Sequence, residues 1–126
     1  MNYFYLYTGL GVLLITVLAM NVTRIRWVQK IPDGDNDYLP LKLAIRTHMN
    51  NLEHIVPFAL LIFSLSEIKI ESIYLGTLAF GFISLRVLNS YSMLASIFKL
   101  RVVTADLTYL FEFIGCLLVI WYGFSI

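Results

Sequence analysis

Tyr3-Phe-Tyr-Leu-Tyr-Thr-Gly-Leu-Gly-Val-Leu-Leu-Ile-Thr-Val-Leu-Ala-Met20 is the stretch that decides the fold. It is apolar, carries no charge and halts only at Arg24 and Arg26. A run of this length can cross a bilayer core as one helix, which needs about 20 residues. A secretory signal would place a basic segment before the run and a small-residue cleavage site after it. Here Met1 and Asn2 precede it and the basic residues follow, so the run reads as a retained span. Tyr3, Phe4, Tyr5 and Tyr7 at one end and Trp27 at the other suit the membrane–water interfaces.

The rest of the chain repeats the pattern. Sixty per cent of its 126 residues are apolar, about 76 in number, close to the roughly 80 that four crossings require. Charged residues make up 13%, about half the share of an ordinary soluble domain. The expectation is an all-α membrane protein of one domain, a bundle of four transmembrane helices with spans near 3–23, 41–65, 73–97 and 103–124. Ile31-Pro-Asp-Gly-Asp-Asn-Asp37 reads as the first loop, because Pro, Gly, Asp and Asn favour turns. Pro40 can open the second helix. Glu67, Lys69 and Glu71 mark the second loop, Ser72 is a candidate cap for the third helix, and Lys99 and Arg101 mark the third loop.

Such a composition argues against a disordered chain. Nine Lys and Arg against eight Asp and Glu leave a net charge of +1, which gives no basic footprint for nucleic acid. The single cysteine, Cys116, excludes an intrachain disulfide and a cysteine-rich metal cluster. It reads as a small packing residue in a span. Seven of the nine Lys and Arg flank the first and third loops and one lies in the second. The positive-inside bias then puts both termini outside and loops one and three in the cytoplasm.

The second span departs from this apolar plan. Arg46-Thr-His48-Met-Asn50-Asn-Leu-Glu53-His54-Ile-Val-Pro57 places polar groups in its cytoplasmic half. At 100° per residue, Arg46, Asn50, Glu53 and Pro57 fall within about 60° of one another. Charged groups there are costly unless paired or set against a wet cavity, so the stripe should face the bundle interior or the cytoplasmic opening. Arg46 and Glu53 admit two readings, structural pairing with neighbouring helices or the lining of a polar ligand site. Arg86 lies about 21 Å into the third span and needs a partner, for which Glu53 is the candidate. Asn89, one turn on, can bridge helices or donate to a ligand. Arg24 and Arg101 sit at span ends, where basic anchors are ordinary. Asp106 suits a helix N-terminus, and Glu112, deeper, needs a helix partner. His48 and His54 are about 240° apart around the helix and form no metal pair; no metal site is expected. Gly9 and Gly11, or Gly76 and Gly81, suit close helix packing. The chain thus offers arginines, a carboxylate and amides, without a nucleophile of its own. That inventory suits a small anionic molecule that brings its own reactive group.

Arg46-x-His48-x-Asn50-x-x-Glu53-x-x-x-Pro57 resembles the second-helix signature of the MAPEG family, membrane-associated proteins of eicosanoid and glutathione metabolism. Asn21-Val-Thr-Arg24-Ile-Arg26 is similar to the end of that family's first helix, and Asp33-Gly34-Asp35 to the first loop of its bacterial members. Arg86-Val-Leu-Asn89 resembles its third-helix Arg-x-x-His, with Asn in the His place, and Arg101-Val-Val-Thr the opening of its fourth helix. The resemblance implies a homotrimer with glutathione, as co-substrate, bound between subunits near the cytoplasmic side of a bacterial inner membrane. By position, Arg24, Asn50, Glu53 and Asn89 would contact glutathione. Glu53 would take its amino group, and Arg101 would stabilise its thiolate as the catalytic residue. Arg46, His48 and Arg86 would be structural. The implied activity is that of a glutathione transferase or peroxidase acting on small lipophilic electrophiles or lipid hydroperoxides. Met49, Met93, Val102 and Ala105 replace polar residues that some members carry, so the pocket would be leaner than an eicosanoid synthase's. Two other readings of the sequence are a small proton-coupled exporter using Glu53, and a non-catalytic membrane protein of the same fold.

Overall fold

The computed structural model describes residues 1–125. Four helices follow in order: α1 Tyr3–Gln29, α2 Leu39–Glu67, α3 Ser72–Leu94 and α4 Phe98–Ser125. α1, α3 and α4 are long and apolar enough to cross a membrane, and the chain is an all-helical integral membrane protein. α2 is as long, at 29 residues, but its polar half leaves it outside that group.

Local chemistry sets the helix ends. The Asn2 side chain accepts from the Tyr5 backbone N–H at 3.3 Å and caps α1. α1 closes on Lys30 in the left-handed region, φ 55°. The Arg26 guanidinium reaches past that turn to the carbonyls of Ile31, Pro32 and Gly34, the last at 2.8 Å, and ties the first loop to the helix. Pro40 lies in the first turn of α2, where its missing N–H costs nothing. Pro57 lies inside α2 and leaves the Glu53 carbonyl without its usual intrahelical donor.

Two expectations at helix ends are corrected. Glu71, not Ser72, occupies the N-cap of α3, and its side chain makes no capping bond. The third helix ends at Leu94 rather than at 97, and α4 starts at Phe98 rather than at 103. Ser96, at φ 57°, turns the chain within three residues. Lys99 and Arg101 therefore lie in the first turns of α4 and not in a loop. The sequence from Phe98 to Ile114 holds no Gly or Pro to delay a helix, and Lys and Arg are good helix formers.

α2 touches all three other helices, while α1 and α4 do not meet among the described residues. The core gathers Tyr7 of α1, Ile55, Phe58, Ile62 and Leu65 of α2, and Leu78, Phe82 and Ile83 of α3. Phe58 and Phe82 stack with ring centroids 3.8 Å apart, and the Tyr7 hydroxyl donates to the Ile55 carbonyl at 2.9 Å. Gly11 lets α1 approach: a Cβ there would stand 2.7 Å from the Ile55 side chain. Gly81 does the same against Phe111, whereas Gly9 faces open space. The remaining apolar side chains, such as Leu13, Val17, Phe113 and Leu117, point outward, as a lipid-facing surface requires.

Candidate functional site

α2 carries two polar faces, and each does something different. The outer one holds Arg46, Asn50 and Glu53. Together with Met49, Met93 at the end of α3 and Arg101 in the second turn of α4, they line a cleft of about 310 Å³. It opens at the end of the bundle where α2 and α4 begin. The early start of α4 matters here, because it carries Arg101 on a rigid turn beside α2. Arg46, Glu53 and Arg101 are exposed and Asn50 is half-buried. The stripe thus borders an open cleft on the chain's surface rather than filling the bundle interior. Among the described residues, the side chains of Arg46, Glu53 and Arg101 form no ion pair or hydrogen bond within the chain. Two guanidiniums and one carboxylate are left to face the cleft.

The inner face holds a network centred on Arg86, which is 1% exposed. Its Nε donates to Asn51 Oδ1 at 3.2 Å, its Nη1 to Thr108 Oγ1 at 3.3 Å and its Nη2 to Asn50 Oδ1. Glu53, the expected partner, takes no part. Arg86 directs its N–H groups to Asn51, Thr108 and Asn50 instead, and Glu53 stays exposed on the cleft side of α2. Asn51 Nδ2 donates in turn to the Thr47 carbonyl and to Ser90 Oγ, each at 2.8 Å. Ser90 Oγ donates to the Arg86 carbonyl and Thr108 Oγ1 to the Thr104 carbonyl, each at 2.7 Å. A buried cation is tolerable in an apolar bundle only when its N–H groups are satisfied, and α2 and α4 share that task here.

Asn89 lies beside this network and not on the cleft. It is buried and donates through Nδ2 to Thr104 Oγ1 at 2.9 Å. Its Oδ1 is buried with no partner. Arg24 is on another side of the molecule, bonded to Asn21 Oδ1 at 3.0 Å and beside a groove lined by Thr16, Met20 and Trp27. Of the sequence-chosen ligand contacts, Asn50, Glu53 and Arg101 come together within one chain, joined by Arg46. Arg24 and Asn89 do not join them. His48 is half-buried on α2 and outside the cleft lining.

Glu112 has the helix partner it needs. His54 Nδ1 and Glu112 Oε1 are 2.7 Å apart, with the Tyr109 ring edge-on to the imidazole at 5.6 Å. This pair joins α2 to α4 one turn deeper than Asn50.

Sequence reasoning missed Asn51, Ser90, Thr104 and Thr108. A signal was present. Thr47, Asn51, Ile55, Phe58 and Ile62 recur at helical spacing and are all buried, so Asn51 falls on the apolar line of α2 and requires inward partners. Thr104 and Thr108, one turn apart, mark the facing side of α4 in the same way.

The sequence model described as MAPEG family matches residues 4–123. No curated protein matches the chain.

Proposed function

The chain belongs to the MAPEG family, and from that premise we propose that it is a glutathione-dependent membrane transferase or peroxidase. The carrying observation is the cleft that unites Arg46, Asn50, Glu53 and Arg101. Glutathione has two carboxylates, one ammonium and one thiol. The unpaired Arg46 guanidinium can take a carboxylate and the unpaired Glu53 carboxylate the ammonium, which leaves the Arg101 guanidinium for the thiolate. Arginine suits carboxylates because its planar fork can donate two parallel bonds. Glu53 takes the ammonium.

Arg101 faces the thiol. A thiol near the model Cys value of about 8.5 ionises more readily beside a cation, and each unit of lowering corresponds to about 1.4 kcal/mol. The thiol proton leaves to water at the open mouth. The thiolate then attacks an electrophilic carbon and displaces its leaving group. With a lipid hydroperoxide it attacks the distal oxygen, releasing the lipid alcohol. The resulting sulfenic acid condenses with a second glutathione to give disulfide and water. A lipophilic second substrate reaches the cleft from the apolar flanks of α2 and α4.

Arg24 has no place in the cleft of its own chain, and the cleft is open on one side. Both features fit a homotrimer in which a neighbouring α1 closes the cleft and supplies Arg24. The Lys and Arg distribution supports a cleft mouth at the cytoplasmic face, and an inner membrane is the membrane we propose.

The test is turnover in reconstituted vesicles. Formation of a glutathione conjugate from an activated aryl halide, or of lipid alcohol from a hydroperoxide, is expected, and Arg101→Ala should abolish most of it. No conjugation and no peroxide reduction at millimolar glutathione, together with proton-driven efflux of a lipophilic cation that Glu53→Gln stops, would replace this reading with the exporter.

A further inference from the structure

Arg86 does not line the cleft, yet it bonds to a residue that does. Guanidinium groups donate and never accept. Whatever touches Arg86 must therefore present an oxygen to it. Asn50 and Asn51 both do so, through Oδ1. The usual ambiguity between the oxygen and nitrogen of an amide is removed at both positions. Each Nδ2 is then turned away from Arg86. For Asn51 this group is satisfied inside the bundle by the Thr47 carbonyl and Ser90 Oγ. For Asn50, Nδ2 finds no acceptor among the described residues, and it is not among their buried unpaired atoms. It belongs to a side chain that lines the cleft.

We propose that Arg86 is a positioning residue that sets the specificity of the cleft, by locking Asn50 as a hydrogen-bond donor toward a ligand carboxylate. With Asn50 so fixed, Arg46, Asn50 and Arg101 offer only donors, and Glu53 offers the only charged acceptor. Arg46 is one turn from Asn50 on the same stripe, so the acceptor met by Asn50 lies in a cationic neighbourhood, which selects a carboxylate over a neutral carbonyl. A free amide could rotate and admit a donor instead; a locked one cannot. The buried cation thus acts at a distance on what the cleft accepts. The choice of glutathione as ligand rests on the proposed function, but the orientation of Asn50 does not.

Two measurements separate these. The first needs no ligand. In the detergent-solubilised full chain with ¹⁵N-labelled asparagine, Asn50→Asp and Asn51→Asp assign the two side-chain amides. A water-soluble paramagnetic reagent should broaden the Asn50 signals and spare those of Asn51. An Asn50 amide as protected as that of Asn51 overturns the proposal, whatever the protein binds. Broadening of Asn50 with no glutathione binding would instead leave the orientation standing and remove the proposed function.

The second compares glutathione with its two monoamides, one at each carboxylate. Wild type should bind at least one monoamide about tenfold more weakly than glutathione, the loss expected of one charge-assisted bond. Arg86→Met, which keeps the bulk and removes the donors, should shrink that ratio to about fivefold or less, the remainder being the preference that Arg46 supplies. Arg86→Lys, still donor-only, should keep most of it. Asn50→Asp gives Arg86 a counter-ion, so it serves where Arg86→Met does not fold. It turns a carboxylate oxygen to the cleft and should reverse the preference in favour of the monoamide. A preference unchanged in both Arg86→Met and Asn50→Asp contradicts the proposal. A merely structural Arg86 would alter stability without altering this ratio.

Discussion

Arg86 and Arg101 show how differently two arginines are used within one bundle. Arg86 is buried and hydrogen-bonded to neutral oxygens; Arg101 is exposed, its side chain unpaired beside a cleft. Arg101→Ala should leave the fold intact and raise the pKa of bound glutathione, read as loss of thiolate ultraviolet absorbance at neutral pH. A thiolate signal that survives the substitution would remove Arg101 from that role. Asn51→Leu should destabilise the bundle by about 1–3 kcal/mol, because Arg86 Nε and Ser90 Oγ lose their partner; thermal unfolding in detergent measures it. At this scale the sequence was half legible. Asn50 and Glu53 stood out by residue type and spacing, whereas Arg101 read as an ordinary span-end anchor and was singled out only by the family resemblance. Glu53 was misassigned to Arg86, because pairing opposite charges ignores that neutral amides can satisfy a guanidinium as completely as a carboxylate does. The Asn51 side chain was overlooked next to a more conspicuous Asn50.

Helices were easier to read than their ends. All four could be placed from apolar runs and turn residues, since the runs are long and turn residues separate them, even where polar groups interrupt the second and third. The α3–α4 junction could not, because Lys99 and Arg101 look alike in a loop and in the first turns of a helix, and only the turn at Ser96 distinguishes them. α2 is the most constrained element, with charge on its outer face, amides on its inner face and aromatic packing farther along. The contact of α1 with α2 depends on Gly11, where a Cβ would meet Ile55 at 2.7 Å. Gly11→Val should cost about 1–3 kcal/mol through overpacking, and Ile55→Ala in the same chain should recover part of that loss. Absence of any loss in Gly11→Val would mean that α1 packs elsewhere.

As a whole, the molecule is a bundle whose charge is concentrated rather than sparse. Most of its surface is suited to lipid, and its unpaired cleft charges gather where α2 and α4 begin. Composition alone foretold the membrane but not this gathering, since percentages carry no positions. Neither could one chain's sequence show that Arg24 lies apart from the cleft; that is a matter of which helices touch, and α1 does not touch α4. If a neighbouring α1 closes the cleft, cysteines placed at Arg24 and Arg101 in a Cys116→Ser background should cross-link between chains and not within one. Cross-links confined to single chains would oppose the trimeric closure.

The central claim is that Glu53 and its neighbouring guanidiniums bind glutathione, and titration calorimetry of the solubilised protein tests it most directly. Wild type should show saturable glutathione binding, and Glu53→Gln should weaken it by about 10- to 150-fold, the loss of one charge-assisted bond. Equal binding by both proteins, or no saturable binding by wild type at millimolar glutathione, would contradict it.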